Sequence, residues 1–255
     1  MPEGDTLYRT AVTLRRWLEG RTITGVRSVR RNVPADRILG TTVDGVEARG
    51  KHLLIRLSSG DVVHTHLQMT GSWHVYGAGD RWRKPGHLAR LVLEAGDRVA
   101  VCFNAPTVEL LAAGEERRHP ALVGLGPDVL VDPFDPAEVR RRAGEMLPPD
   151  SPVGDLLLDQ QVVAGIGNIW RCEALFVRRI APDTPWSVLS DDDLDALVSA
   201  ASTLMRGAIG GRTGTRSVYG RAGRPCPRCR TLVRAARQGR HARTAYWCPA
   251  CQPHL

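Results

Sequence analysis

Four cysteines near the end of the chain set the tightest constraint on its fold. Cys226-Pro227-Arg228-Cys229 is followed by eighteen residues and then by Cys248-Pro249-Ala250-Cys251. Two Cys-x-x-Cys knuckles at that separation match a tetrahedral four-thiolate zinc site, and the stretch between them is long enough to return as a hairpin. A module this small buries little core, so the metal supplies its folding energy. The same cysteines read as two disulfides are the alternative. With all four positions filled by thiolates the ion is structural, and the chemistry must lie elsewhere.

Charge points to the partner. Residues 196–255 contain no Asp or Glu, yet eleven arginines stand from Arg206 to Arg243. The net charge is +8 over 255 residues, and this concentration favours a polyanionic partner over a merely soluble surface. A hydrophobic content of 42% allows a sizeable core. No stretch approaches a membrane span, and the N-terminus lacks the layout of a signal peptide. Cys102 and Cys172 are lone cysteines expected to be buried and inert, and a reducing cytoplasm, close to the nucleoid, is the expected location. Only Lys51 and Lys84 among 35 basic residues are lysine. A lysine retained in so arginine-rich a chain marks a place where an amine is needed rather than a charge.

Periodicity divides the chain. Leu7, Ala11, Leu14 and Leu18 predict a helix from Asp5 that ends at Gly20. Short alternating runs follow at Thr22–Val29, Val43–Arg49, His52–Leu57, Val62–His66, Trp73–Tyr76, Leu88–Leu93, Val99–Phe103 and Val108–Leu111. Turn residues separate them, as in an antiparallel β-sandwich. A Gly/Pro-rich junction runs through His119-Pro120 and Gly124-Leu125-Gly126-Pro127-Asp128. Beyond it helices are expected at Pro136–Arg142, Val153–Gln161, Ile169–Val177 and, capped by Ser190, Asp191–Ala208. A Gly-rich stretch, Gly207–Gly223, leads to the cysteines. The chain reads as an α+β multidomain protein: a catalytic sandwich over 1–117, a hinge over 118–131, a helical DNA-binding domain over 132–215 and the zinc finger over 216–255.

Within the helical part, Leu156 to Leu175 reads as helix, tight Gly165-Ile166-Gly167 turn, helix, with Asn168 at the N-cap. Such an end offers backbone N–H groups and a positive dipole to phosphate. This string resembles the helix–two-turn–helix of the formamidopyrimidine-DNA glycosylase and endonuclease VIII family. So do the Met1-Pro2-Glu3 start, the Gly50-Lys51 pair before a strand, the Gly126-Pro127-Asp128-Val129-Leu130 junction and Arg243-Thr244-Ala245-Tyr246-Trp247-Cys248.

The resemblance implies a chemistry. Removal of Met1 leaves Pro2 with a secondary amine, and an α-amino group has a pKa of ~8 against ~10.4 for lysine. Attack on the sugar C1′ expels the base, leaves an iminium and opens the way to strand cleavage by β,δ-elimination. By similarity Glu3 is the acid–base residue, Lys51 contacts phosphate and assists proton transfer, and Arg243 grips the phosphate beside the lesion. Gly167 and Asn168 contact DNA. The His66–Gly71 loop fills the gap left by the flipped nucleotide, with Gln68 probing it and Met69 and Thr70 alongside. Cys226, Cys229, Cys248 and Cys251 hold one structural zinc, and no organic cofactor is implied.

Oxidised pyrimidines are the expected lesions, because Cys102–Glu109 lacks the Arg-and-Phe loop pattern of purine-directed members, and Pro2-Glu3-Gly4 and Tyr246-Trp247-Cys248-Pro249 resemble endonuclease VIII more closely. Two departures bear on this: Thr6 where many members have glutamate, and Gly124 where endonuclease VIII often has arginine. The expected partner is damaged double-stranded DNA, with single strands left open, and the expected state a monomer away from membranes. A noncatalytic DNA-damage-binding zinc-finger protein and an oxidised-purine glycosylase are the alternatives.

Overall fold

The leucine spacing at the N-terminus forms helix α1 (Gly4–Leu18), which buries Leu7, Ala11, Leu14 and Leu18. It starts one residue before the expected Asp5, because extended Glu3 is the N-cap and its carbonyl accepts from Thr6 N (2.9 Å) and Leu7 N (3.1 Å). This computed structural model describes residues 2–211, 216–240 and 242–253. Met1 and residues 212–215 of the Gly-rich stretch lie outside the described residues.

The eight alternating runs are strands: β1 (Gly25–Ser28), β2 (Val43–Arg49), β3 (His52–Leu57), β4 (Val62–His66), β5 (Ser72–Gly77), β6 (Ala89–Ala95), β7 (Arg98–Phe103) and β8 (Thr107–Leu111). They form two antiparallel sheets, ordered β1-β6-β7-β5 and β2-β3-β4-β8. Leu53, Ile55, Val63 and Val108 of one sheet share a core with Leu91, Leu93 and Ala100 of the other and with the leucines of α1. Each such burial contributes roughly 1.5–3 kcal/mol. Because strand side chains alternate, the core positions of β3, β4 and β8 send His52, His64, His66 and Glu109 to the opposite face. The short helix α2 (Pro120–Val123) completes a first unit, Met1–Gly124.

The second unit, Leu125–Leu255, is helical: α3 (Pro136–Met146), α4 (Val153–Leu156), α5 (Asn168–Arg178) and α6 (Asp191–Ile209). Ser190 caps α6 by accepting from Asp193 N at 3.1 Å, and Leu194, Leu197, Val198, Ala201 and Met205 enter the core. The expected helix over 153–161 is cut to α4. Gln160 replaces the missing helical bonds, donating to Leu158 O (2.9 Å) and Ile166 O (3.0 Å) and accepting from Gly165 N (3.1 Å). Gly165 holds φ +97°, and any side chain at Gly126 would strike the Val162 carbonyl. Among the described residues no helix is long and apolar enough to cross a membrane.

The cysteine module carries a hairpin of β9 (Arg234–Gln238) and β10 (Arg243–Trp247). Its core is shared with α5 through Cys172, Phe176, Val218 and Val233. The Glu173 carboxylate secures the approach to it, accepting from the backbone N–H groups of Ser217 (2.9 Å), Val218 (3.0 Å) and Tyr219 (2.9 Å).

Candidate functional site

In the first unit, half-buried Pro2 leads directly into the cap of α1, and Glu3 beside it is only 1% exposed. Lys51, half-buried, occupies the two-residue turn between β2 and β3, which closes because Gly50 adopts φ +58°. The 67–71 loop is a tight turn anchored by buried Leu67, with Gly71 N donating to Leu67 O at 2.8 Å. Gln68 sits at its tip with φ +46°, and Met69 is 58% exposed, so neither belongs to the core. Thr70 Oγ1 reaches Asn104 O at 3.4 Å, beside the β7–β8 connection of only Asn104, Ala105 and Pro106.

A histidine row that sequence reasoning missed lies on the face next to Lys51. His52 Nδ1 and His64 Nε2 are 2.8 Å apart, His64 Nδ1 is 2.7 Å from Glu109 Oε1, and His119 Nε2 is 3.2 Å from that same oxygen. The His52 and His66 ring centres are 4.7 Å apart. The signal was the alternation in His64-Thr65-His66, which puts both rings on one face of a strand. Among the described residues His64, Glu109 and His119 bring ligand-type atoms within 4.8 Å. Glu109 is hydrogen-bonded to His64 and lies beside His119, whose buried Nδ1 has no hydrogen-bond partner.

Burial, then the charges of His66 and His64, lowers His52 to about 3, and burial lowers His66 to about 4. Burial also lowers His64, against the opposing pull of Glu109. These rings stay neutral in the folded protein while an unfolded histidine gains a proton near pH ~6.5. The unfolded chain then binds more protons, and stability falls as pH drops from ~6.5 toward the folded values, by up to about 1.4 kcal/mol per pH unit for His52. Urea midpoints at pH 7 and pH 5 measure this. His52→Asn should flatten the difference, and an unchanged difference would refute the burial argument.

In the second unit the expected N-cap is corrected. Gly167, extended at φ −118°, caps α5, and Asn168 is its first helical residue. The Asn168 carboxamide does not fold back on the helix; its Nδ2 donates to Thr244 O of β10 at 2.8 Å, tying α5 to the hairpin. The two hairpin arginines that spacing alone barely separates are distinct in structure. Arg240 donates its backbone N–H to Asp155 Oδ2 at 2.9 Å and pairs with Asp159 through its guanidinium. Arg243 stands exposed at the first position of β10, opposite Gln238.

The four cysteines converge. Their sulfurs lie within 4.8 Å of one another, with Cys226–Cys251 at 4.0 Å and Cys229–Cys248 at 3.4 Å. Two tetrahedral Zn–S bonds of ~2.3 Å subtend a separation of about 3.8 Å, so the set fits zinc and is far too open for disulfides. Hydrogen bonds from Thr231 bring the Cys229 thiol down to about 6, whereas burial pushes Cys248 and Cys251 up. Four thiolates this close need a dication. Cys102 is buried in the first unit, Cys172 packs in the core of the finger without joining the four-sulfur set, and burial raises both thiols.

Fold and site together define a DNA glycosylase with a C-terminal four-cysteine finger. Residues 1–107 match the profile of the formamidopyrimidine-DNA glycosylase N-terminal domain, and residues 125–218 match that of the formamidopyrimidine-DNA glycosylase H2TH domain. The chain belongs to the formamidopyrimidine-DNA glycosylase family. It is 42% identical over 268 residues to the probable endonuclease 8 2 of Streptomyces coelicolor, covering 99% of this chain and 94% of that one. It is 39% identical over 264 residues to the DNA-(apurinic or apyrimidinic site) lyase Nei2 of Mycolicibacterium smegmatis, covering 99% of each. Its fold matches Lactococcus lactis formamidopyrimidine-DNA glycosylase bound non-covalently to DNA containing an AP site. That match has a TM-score of 0.84 at 21% identity over 99% of this chain and 100% of the other.

Proposed function

We propose that the protein is a bifunctional DNA glycosylase and AP lyase of base excision repair, acting on oxidised pyrimidines in duplex DNA. The observation that carries this reading is Pro2, half-buried, joined to a Glu3 that is 1% exposed at the cap of α1. With Met1 removed, the Pro2 nitrogen bonds to C1′ as the glycosidic bond breaks and the base departs. Loss of the nitrogen proton gives a neutral aminal, and cleavage of the C1′–O4′ bond, with a proton passing to O4′ from Glu3, opens the sugar ring and leaves an iminium. That cation acidifies the C2′ proton; its removal breaks the C3′–O bond, and a second elimination breaks the C5′–O bond. Glu3 moves protons at the sugar, and Lys51 contacts phosphate and receives or returns a proton. Arg243, Gly167 and Asn168 hold the backbone, while Gln68, Met69 and Thr70 fill the space left by the flipped nucleotide.

Cys226, Cys229, Cys248 and Cys251 hold one structural zinc, which supplies the folding energy of the hairpin that carries Arg243. The reaction draws its amine from the chain and calls for no organic cofactor. The working division is catalysis in 1–117, a hinge in 118–131, helical DNA binding in 132–215 and the finger in 216–255, in a cytoplasmic protein that works at the nucleoid. The pyrimidine preference rests on the β7–β8 connection, Asn104-Ala105-Pro106, which is too short to carry a second wedge of Arg and Phe. Single-turnover excision from duplexes bearing thymine glycol, dihydroxyuracil or 8-oxoguanine tests it. Thymine glycol should be removed at least ~10-fold faster than 8-oxoguanine, a difference of about 1.4 kcal/mol; the reverse order would overturn the preference.

A further inference from the structure

Residues 196–255 hold no Asp or Glu, so any carboxylate that fixes the finger hairpin must come from elsewhere in the chain. Asp155 and Asp159, 7% and 9% exposed, supply two. One helical turn separates them, with Asp159 N donating to Asp155 O at 3.0 Å, so both side chains share a face. Asp155 Oδ2 accepts the backbone N–H of Arg240 at 2.9 Å, and the Arg240 guanidinium pairs with Asp159. Asp159 is itself held, since its Oδ1 accepts from Gln161 N at 2.9 Å. Gly239, at φ +68°, brings the backbone so close to the Asp155 carboxylate that no Cβ would fit between them. Arg243 follows in the same tip, and Thr244 after it has a tie of its own, its carbonyl accepting from Asn168 Nδ2 at 2.8 Å. Every described residue from Arg234 to Arg243 is exposed except half-buried Gln238. Apolar burial therefore does not set where Arg243 stands; the polar ties on either side of it do.

We propose that Asp155 and Asp159 form a clamp that holds the hairpin tip through Arg240 and so fixes Arg243 at the phosphate beside the lesion. The proposal rests on the reading of Arg243 as the residue that grips that phosphate. Asp155, Asp159 and Arg240 are positioning residues acting through Arg243. In a unit that binds a polyanion, two carboxylates weaken the attraction unless a cation is held against them, and Arg240 is that cation. A guanidinium on a loose tip must lose backbone and side-chain freedom each time DNA arrives, whereas a clamped tip has lost it in advance. The gain falls on the second elimination. There the C5′–O bond breaks, the departing phosphate oxygen keeps the electron pair, and Arg243 meets the charge that develops on it. The first elimination, driven by the Pro2 iminium, does not draw on the clamp.

Asp159→Asn in the full zinc-loaded chain removes the charge and keeps the shape of the side chain. In single turnover on abasic duplex the second elimination should slow by about 10-fold, with the first elimination, the borohydride-trapped adduct and the zinc content unchanged. Added to Arg243→Ala, the same substitution should cost less than ~2-fold more, because residues that act through one group are not additive. Hydrogen exchange on the free protein reads the clamp directly: the Arg240 N–H should be protected in the native chain and lose that protection in Asp155→Ala. A native rate of second elimination in Asp159→Asn, a loss repeated in full on top of Arg243→Ala, a matching loss of zinc, or a freely exchanging Arg240 N–H in the native protein would each overturn the clamp. Native products from Arg243→Ala would refute the reading of Arg243 instead, and the exchange measurement would still decide whether the two carboxylates hold the tip.

Discussion

A protein whose Pro2 nitrogen is kept in a peptide bond by an additional preceding residue will form no borohydride-stable adduct with abasic duplex. It will cleave that DNA on the order of 10³-fold more slowly than the processed protein. An amide nitrogen has given its lone pair to the carbonyl and cannot add to C1′, whereas a free secondary amine with a pKa of ~8 is about one-tenth unprotonated at pH 7, a useful fraction. Duplex affinity should stay within a few-fold, because the arginine-rich second unit is untouched, and affinity together with adduct yield separates chemistry from binding. Intact-mass measurement of the trapped species should locate the sugar on Pro2. An adduct of equal yield from the extended protein would place the nucleophile elsewhere, and Lys51 would be the next amine to test.

Stripping the metal, or replacing Cys248 with serine, should unfold the hairpin while the two cores outside it remain. Structural zinc in small four-ligand modules is worth roughly 10–16 kcal/mol of folding free energy. The apolar core of this module is small, consisting mainly of Val218, Val233 and Phe176 around the cysteines. A few anchoring hydrogen bonds, such as Asn168 to Thr244 and Gln252 to Ile180, add little against the repulsion among clustered thiolates and among Arg228, Arg230, Arg234 and Arg237. Duplex affinity should drop on the order of 10²-fold, since the lost segment contributes several phosphate-neutralising charges. Metal analysis should find one zinc per chain. A chelated protein that binds DNA undiminished would remove the finger from the interface.

Much of this was legible in the residues. The leucines of α1, the eight alternating runs and the stripe of α6 are periodic, and period reports which side of an element meets a core. The cysteine spacing announced a metal site because chelate geometry is local. The helix expected to reach Gln161 stops at Leu156 because a Gln160 side chain competes for backbone partners, and competition of that kind has no periodic trace. Asn168 looked like a cap because its type suits one; its amide instead spans to Thr244, 76 residues away in the chain.

The distinction between Arg240 and Arg243 likewise depends on Asp155 and Asp159, far off in sequence. The row from Glu109 through His64 to His52 needs three strands in register before any hydrogen bond exists. Composition, spacing and periodicity therefore determined the two-part fold and the grouping of the four cysteines, and motif resemblance supplied the family, since each is written in short-range pattern. Which polar groups are spoken for was decided only when strand pairing and helix packing brought distant residues within about 3 Å, the reach of a hydrogen bond.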